Sequence, residues 1–175
     1  MRQEFELFHA VAALRRVGSS PDAGEAREDA RLAELVARVH ELVCNDAVDK
    51  DPRGLSDMSW SCARLVLLHM PLLDAISASA LPRISQFDPQ GCVNTVWAFA
   101  KLNLSDHPLL HSLASAARPK IPDFSFQWLV RTSWACAKIR LSAPPLLHAL
   151  SEEVRRRLPE FAEYEPQVLT NFLWA

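Results

Sequence analysis

Apolar residues in this chain recur with the spacing of an α-helix. In the segment that begins at residue 89, at about 100° per residue, one helical sector is apolar and consists of Val93, Val96, Trp97, Ala100 and Leu104. A second apolar sector on the far side consists of Cys92, Phe99 and Leu102. No segment alternates apolar and polar residues as a half-buried strand does. The pattern predicts an all-α protein whose helices are buried on two sides.

A tryptophan phrase returns at an interval of 37 residues. Trp60, Trp97 and Trp134 begin the hexapeptides WSCARL, WAFAKL and WACAKI, and a fourth copy starts at Trp174, where the chain ends. A period of about 20–50 residues is typical of repeat arrays. We therefore predict an α-solenoid of tandem two-helix repeats with a period of about 37 residues. Because the last copy stops inside its first helix, we expect the chain to be a fragment.

Other residues follow the same period. Asp51 and Asp88 each precede a proline and are predicted to cap a first helix. Ser125 and Glu165 lie at the corresponding position of the later repeats, and such a set of corresponding positions is called a column below. Pro-Leu-Leu recurs from residues 71, 108 and 145, so a second helix is expected to open near Pro108 and to close before residue 122.

These signals divide the chain into three parts. Residues 1–17 read as a degenerate first repeat helix, 18–31 as a flexible acidic insertion, and 32–175 as the repeat array, with 32–44 as a second helix. The predicted repeats span residues 51–86, 87–123 and 124–163, and a truncated copy spans 164–175.

Each first helix keeps a narrow polar stripe of four columns. The first column holds Arg53, Gln90, Gln127 and Gln167. The second is polar but variable and holds Asp57, Asn94, Arg131 and Asn171. The third is small, which would let a ligand approach the backbone, and holds Ser61, Ala98, Ala135 and Ala175. The fourth column, called the basic row below, is always cationic and holds Arg64, Lys101 and Lys138.

A constant basic row beside a varied polar column is suited to reading a nucleic acid. Cations neutralise phosphates whatever the sequence, whereas amide, carboxylate and guanidinium groups can distinguish bases. Single-stranded RNA, whose base edges are free, is the expected partner. The alternative is that the stripe is an ordinary solvated face, because cations near a helix end are favoured by the macrodipole alone. The tryptophans are interpreted as packing anchors and not as base-stacking platforms.

Composition restricts the other functions. The net charge of −2 neither requires nor excludes a polyanionic partner, and no apolar run is long enough to span a membrane. The four cysteines and six histidines lack metal-ligand spacing, and Cys62 and Cys136 share a column with Phe99, which indicates small core residues. No phosphate-binding loop or catalytic constellation is present. We expect no enzyme, no metal and no cofactor; the alternative to RNA binding is a protein–protein interaction scaffold.

The segment FDPQGCVNTVWAFAKL (87–102), followed by Pro-Leu-Leu (108–110), resembles the octotricopeptide repeats of algal organelle proteins. The 37-residue period is similar to that of the heptatricopeptide repeats of apicomplexan and related protists. The helical-repeat region of FAST kinase-like mitochondrial proteins is more distantly similar. The resemblance covers about residues 32–175, and it differs at Arg53, Phe126 and Arg131, where those repeats usually have Gln, Pro and Asn.

The resemblance implies an RNA-binding α-solenoid of a mitochondrion or plastid, acting in transcript stability, processing, ribosomal RNA handling or translation, with other organellar RNA-processing proteins as further partners. By matching columns, the RNA-facing residues that it implies are Arg53, Asp57, Arg64, Gln90, Asn94, Lys101, Gln127, Arg131, Lys138, Gln167 and Asn171.

Overall fold

The computed structural model describes residues 2–45 and 49–161, and this part of the chain is helical without any strand. Its eight α-helices are α1 (Arg2–Ser19), α2 (Ala30–Cys44), α3 (Pro52–Arg64), α4 (Met70–Ala80), α5 (Pro89–Lys101), α6 (His107–Ala117), α7 (Phe126–Lys138) and α8 (Pro144–Phe161). Single 3-10 turns occupy Glu25–Glu28, Leu81–Gln86 and Arg118–Asp123. The prediction of an all-α protein is confirmed for these residues.

The helices from α3 onward start at a constant interval. Helices α3, α5 and α7 begin at residues 52, 89 and 126, and α4, α6 and α8 begin at residues 70, 107 and 144, so that corresponding starts lie 37 residues apart. The predicted caps at the first set are confirmed. The side chains of Asp51, Asp88 and Ser125 accept hydrogen bonds from backbone N–H groups one turn into α3, α5 and α7. Glu165 and the copy at 164–175 lie outside the described residues.

The helices form two layers. In the first layer, α1, α3, α5 and α7 lie side by side, each in contact with the next. In the second layer, α2 packs on α4, the 3-10 turn after α4 packs on α6, and the turn after α6 packs on α8. Each first-layer helix also contacts the second-layer helix that follows it. The apolar core lies between the layers, and both predicted apolar sectors of α5 contribute buried residues to it.

Neighbouring first-layer helices approach each other closely because small residues lie between them. Ser61, Ala98 and Ala135, the third column of the stripe, are fully buried. A Cβ atom added to Gly18 of α1 would lie 3.4 Å from the Cα atom of Ser61. This column was expected to admit a ligand to the backbone. For these three residues the structure corrects that expectation, because they are inaccessible and the neighbouring helix occupies the space beside Ser61. Ala175, the fourth member of the column, lies outside the described residues.

The first-layer helices end in the same left-handed turn. Val66, Asn103 and Arg140, again 37 residues apart, have positive φ angles of 50°, 58° and 51°. In each turn the N–H of the following residue bonds back to a carbonyl five residues earlier, as from Leu104 to Phe99 at 2.9 Å. This is the Schellman arrangement, which satisfies carbonyl groups that the helix end leaves unpaired. The sequence analysis did not detect it, because only Asn103 is a residue that favours this conformation.

A hydrogen bond from a basic side chain to a backbone carbonyl also recurs at the 37-residue interval. Lys120 donates a hydrogen bond to the carbonyl oxygen of Phe87, and Arg157 donates one at 2.6 Å to the carbonyl oxygen of Phe124. Both donors and both acceptors are 37 residues apart. Each contact joins the end of a two-helix unit to the residue that precedes its first helix, so the units are tied at the same place.

The segment predicted as a flexible insertion has defined elements in the structure. Helix α1 continues to Ser19, the 3-10 turn follows at Glu25–Glu28, and α2 begins at Ala30, before the predicted end of the insertion at residue 31. Ala23 is buried within it. The predicted second helix at 32–44 corresponds to α2.

Val66 is a β-branched residue in a conformation that costs L-amino acids about 1–2 kcal/mol. Its side chain is 49% exposed, so replacing it removes little buried surface. We expect Val66→Asn to raise the free energy of unfolding by about 1 kcal/mol and Tm by about 2–4 °C, measured by thermal denaturation. Leu68→Asn, a change at a 59% exposed neighbour, is the control. Equal melting temperatures for the two variants would contradict the conclusion that Val66 is strained by its positive φ angle.

Three of the four cysteines are core residues. Burial raises the pKa of the Cys62 thiol to about 12 and those of Cys92 and Cys136 to about 11, whereas Cys44 is exposed beside His40. This confirms the predicted core positions of Cys62 and Cys136.

Because the thiolate is the reactive form, we expect a neutral thiol reagent to modify Cys44 alone in the folded protein. The buried thiols should react only when denaturant is added. Mass spectrometry of the modified protein measures this directly, and Cys44→Ser should abolish the rapid modification. Rapid modification of a second cysteine in that variant would count against the packing described here.

Candidate nucleic-acid interface

The described part of the polar stripe is exposed at its two ends and largely buried in the middle, where Arg131 is the exposed exception. The first column, represented by Arg53, Gln90 and Gln127, is exposed, and so is the basic row. Eleven residues separate the two columns on each helix, which corresponds to about 16 Å along the helix axis. The stripe therefore does not form one continuous polar surface. It forms two parallel exposed rows, one at each end of the first layer.

The three described residues of the second column differ in their surroundings. The carboxylate of Asp57 accepts a hydrogen bond at 2.6 Å from Nη1 of Arg15 in α1, and only 15% of the Asp57 side chain is exposed. Asn94 is 7% exposed, whereas Arg131 is exposed. Of these three, Arg131 therefore offers a ligand the most surface.

A small notch joins the first and second columns of two adjacent helices. Its lining consists of Arg15, Arg53, Ser56, Asp57, Asp88, Gln90, Gly91 and Asn94. The structure thus brings together four of the predicted site residues, and it adds Arg15 from α1, which the sequence analysis missed. The notch has a volume of about 10 Å³, which is room for about one water molecule. A nucleobase could contact its rim but could not enter it.

The exposed cations of the stripe differ from most other cations of the protein in having no carboxylate partner. Most arginines elsewhere form ion pairs, and these are Arg2, Arg15, Arg31, Arg38, Arg83, Arg155, Arg156 and Arg157. Within residues 2–45 and 49–161, no ion pair involves the stripe cations, which are Arg53, Arg64, Lys101, Arg131 and Lys138. Their charge is not neutralised locally, so it remains available to an anionic partner.

Two members of the basic row lie over tryptophan rings. The guanidinium carbon of Arg64 is 5.7 Å from the ring centroid of Trp60, and Nζ of Lys101 is 5.1 Å from that of Trp97. The guanidinium carbon of Arg131, on the adjacent helix α7, is 5.9 Å from the Trp97 centroid. These distances are those of cation–π contacts. Trp97 therefore lies beside two cations that come from different helices.

The tryptophans of the repeated phrase share one column but not one environment. All three are half-buried. Trp134 packs at the edge of the apolar core, as the interpretation of a packing anchor requires. Trp60 and Trp97 instead lie under cations of the stripe, and they contribute an aromatic surface beside the basic row.

Part of this aromatic–basic arrangement was present in the sequence. Each tryptophan precedes a cation by four residues, and side chains at that spacing meet on a helix surface. The contact between Arg131 and Trp97 has no such signal, because it depends on how α7 packs against α5. The remaining predicted residues, Gln167 and Asn171, lie outside the described part of the chain.

No family model matches the chain, and no curated protein is similar to it. None of the helices in the described part is long and apolar enough to cross a membrane. The same residues contain no group of three metal-ligating side chains that could hold an ion.

The Arg15–Asp57 ion pair joins α1 to α3, and we expect it to stabilise their contact. Arg15→Met and Asp57→Asn combined in a double-mutant cycle should give a coupling free energy of about 1 kcal/mol, measured by urea denaturation. Glu152 and Arg155, an exposed pair within α8, form the control and should couple by about 0.3–0.5 kcal/mol. A coupling at Arg15–Asp57 no larger than that of the control would show that this pair adds nothing to the interface.

Proposed function

We propose that this protein binds single-stranded RNA through the exposed cations of its first layer, and that it is an α-solenoid of two-helix repeats with a period of about 37 residues. The observation that carries the proposal is the set of five exposed stripe cations without a carboxylate partner among the described residues, in a protein where most other arginines have one. Arg64 donates a hydrogen bond at 3.2 Å to the carbonyl oxygen of Gly18, which leaves its charge unneutralised. The helix macrodipole favours cations in the last turn, where Arg64, Lys101 and Lys138 lie, but it gives no reason for Arg53 in the first turn of α3 or for Arg131 in the middle of α7.

The regular spacing of the first-layer helices is suited to binding a linear ligand. Helices packed side by side repeat at about 8–10 Å, so the basic row presents its charges in a line across the layer. A flexible polyanion can follow such a line with one phosphate near each cation. The chain as a whole carries a net charge of −2, so the attraction depends on where the cations lie and not on their number.

The proposed biological setting follows the resemblance to octotricopeptide and heptatricopeptide repeats. It is organellar RNA metabolism in a mitochondrion or plastid, as transcript stabilisation, processing, ribosomal RNA handling or translation. Other organellar RNA-processing proteins are proposed as partners, and no catalytic role is proposed.

One observation favours the second candidate function, a protein interaction scaffold. A groove of about 380 Å³ lies between α1 and the start of α3, and its apolar lining includes Leu7, Phe8, Val11 and Met58. Phe5 and Phe8 on α1 are 66% and 68% exposed. A peptide bound in the groove would depend on Phe8 and its apolar neighbours and little on salt.

We expect the triple variant Arg64→Ala/Lys101→Ala/Lys138→Ala to lose most of its affinity for single-stranded RNA. Binding of the full chain should fall steeply between about 50 and 200 mM salt, and the slope of log K against log[salt] should decrease by about 2 in the variant, at about 0.7 per phosphate contact. Fluorescence anisotropy with a labelled RNA of random sequence measures both quantities.

A matched control removes the same charge from another surface. Arg31, Arg38 and Arg155 are exposed and ion-paired, so their triple alanine variant should keep both the affinity and the salt slope of the unaltered protein. Equal losses in the two variants would mean that only net charge matters. Binding that ignores salt and both variants, in a protein that circular dichroism shows to be helical, would favour the scaffold.

A further inference from the structure

We propose that the indole ring of Trp97 is a stacking platform for one nucleobase of the bound strand, with the guanidinium group of Arg131 beside it. This inference rests on the RNA-binding function proposed above and names the group that contacts a base. It replaces the interpretation of Trp97 as a packing anchor, which the sequence alone had favoured.

The position of Trp97 relative to the cations is the first argument. Trp97 is half-buried, so it keeps an exposed part of its ring, and exposed Lys101 and Arg131 lie 5.1 Å and 5.9 Å from the ring centroid. Aromatic rings next to backbone-contacting cations are the arrangement with which proteins hold single strands. Here α5 supplies the ring and one cation, and α7 supplies the other.

The separation of the two exposed rows is the second argument. Gln90 lies about 16 Å along the α5 axis from Lys101, which is farther than the phosphate of a nucleotide lies from its own base. A nucleotide whose phosphate contacts Lys101 therefore cannot place its own base on Gln90. Trp97, one helical turn before Lys101, is within reach. Asn94 lies between Gln90 and Lys101 on α5, but it is 7% exposed and offers a base little surface.

The unpaired state of the cations is the third argument. Neither Lys101 nor Arg131 forms an ion pair with the described residues, so each can move from the ring towards a phosphate without leaving a buried charge behind. A phosphate contact is stronger than a cation–π contact at an exposed site. Once Lys101 has moved, the ring surface that it covered is free for a base. Arg131 can stay against the base or the ring, because guanidinium groups stack on aromatic faces.

Trp60 and Trp134, which occupy the equivalent positions in α3 and α7, can be compared with Trp97. Trp134 occupies the equivalent place in α7, but it packs at the edge of the core, and none of the described cations lies over its ring. Trp60 has Arg64 over its ring, and none of the described cations of a neighbouring helix joins it there. Among the three described tryptophans of this column, Trp97 has cations from two helices, so the proposal concerns this residue.

The test compares the full chain with its Trp97→Leu variant, using labelled oligo(A) and oligo(U) RNAs of about 12 nucleotides. Loss of a base–aromatic stack should weaken oligo(A) binding about tenfold or more. The salt slope should not change, because no phosphate contact is removed. The effect on oligo(U) should be smaller, because a pyrimidine covers less of the ring. Lys101→Ala should show the opposite signature, with a salt slope smaller by about 0.7.

Trp134→Leu is the matched control, and its affinity for both RNAs should equal that of the unaltered protein. Trp97→Phe retains a ring and should keep most of the oligo(A) affinity. It also removes one fluorophore, so the quenching of tryptophan fluorescence by saturating oligo(A) should be smaller in Trp97→Phe than in the unaltered chain. If Trp97→Leu does not fold, the fluorescence quenching of Trp97→Phe tests whether a base stacks on Trp97.

The outcomes separate the two proposals. If the unaltered chain binds RNA with salt sensitivity but Trp97→Leu binds oligo(A) equally well, the stacking site is overturned and the proposed function stands. Unchanged quenching in Trp97→Phe would overturn it in the same way. If the unaltered chain binds neither RNA, the proposed function fails, and the stacking site fails with it.

Discussion

The close contact between neighbouring first-layer helices determines most of what this structure can present to a ligand. Small side chains such as Ser61, Ala98 and Ala135 allow α1, α3, α5 and α7 to lie side by side with little space between them. Larger residues in this column would push the helices apart, because a close-packed interior does not absorb added volume without strain. The regular line of exposed cations depends on this packing, since α3, α5 and α7 each carry one member of it.

This packing has a consequence for recognition. Most of the described side chains in the middle of the polar stripe are enclosed by the adjacent helices, and Arg131 is the exposed exception. Asn94 is buried, and Asp57 helps to hold the layer together through Arg15. In the proposed RNA complex, the accessible groups are the exposed cations, the tryptophans beneath two of them, and the exposed amides of Gln90 and Gln127. We therefore propose charge and stacking as the main sources of the affinity of that complex.

The positions of the charged side chains, and not the net charge, determine the electrostatic character of the stripe surface. Acidic and basic residues are nearly balanced, and most arginines outside the stripe are engaged by carboxylates on their own or adjacent helices. Exposed pairs of this kind add little to stability, but they cancel charge locally. The stripe cations keep their full charge because the described columns of the stripe hold one carboxylate, Asp57, and Arg15 already pairs with it. Such a surface can attract a polyanion although the whole chain is slightly acidic.

Several features could be predicted from the amino-acid sequence: the helical elements, their caps at Asp51, Asp88 and Ser125, the core positions of Cys62 and Cys136, and the 37-residue spacing of the motifs. These follow from local hydrogen bonding and from hydrophobic periodicity, which act between residues close in the chain. Which face of each helix is covered depends instead on how the helices pack. The third column was wrongly expected to be accessible, and the pairs Arg15–Asp57 and Arg131–Trp97 were not foreseen. Those features depend on the crossing of separate helices, and helical periodicity identifies an apolar or polar face but not the partner that packs against it.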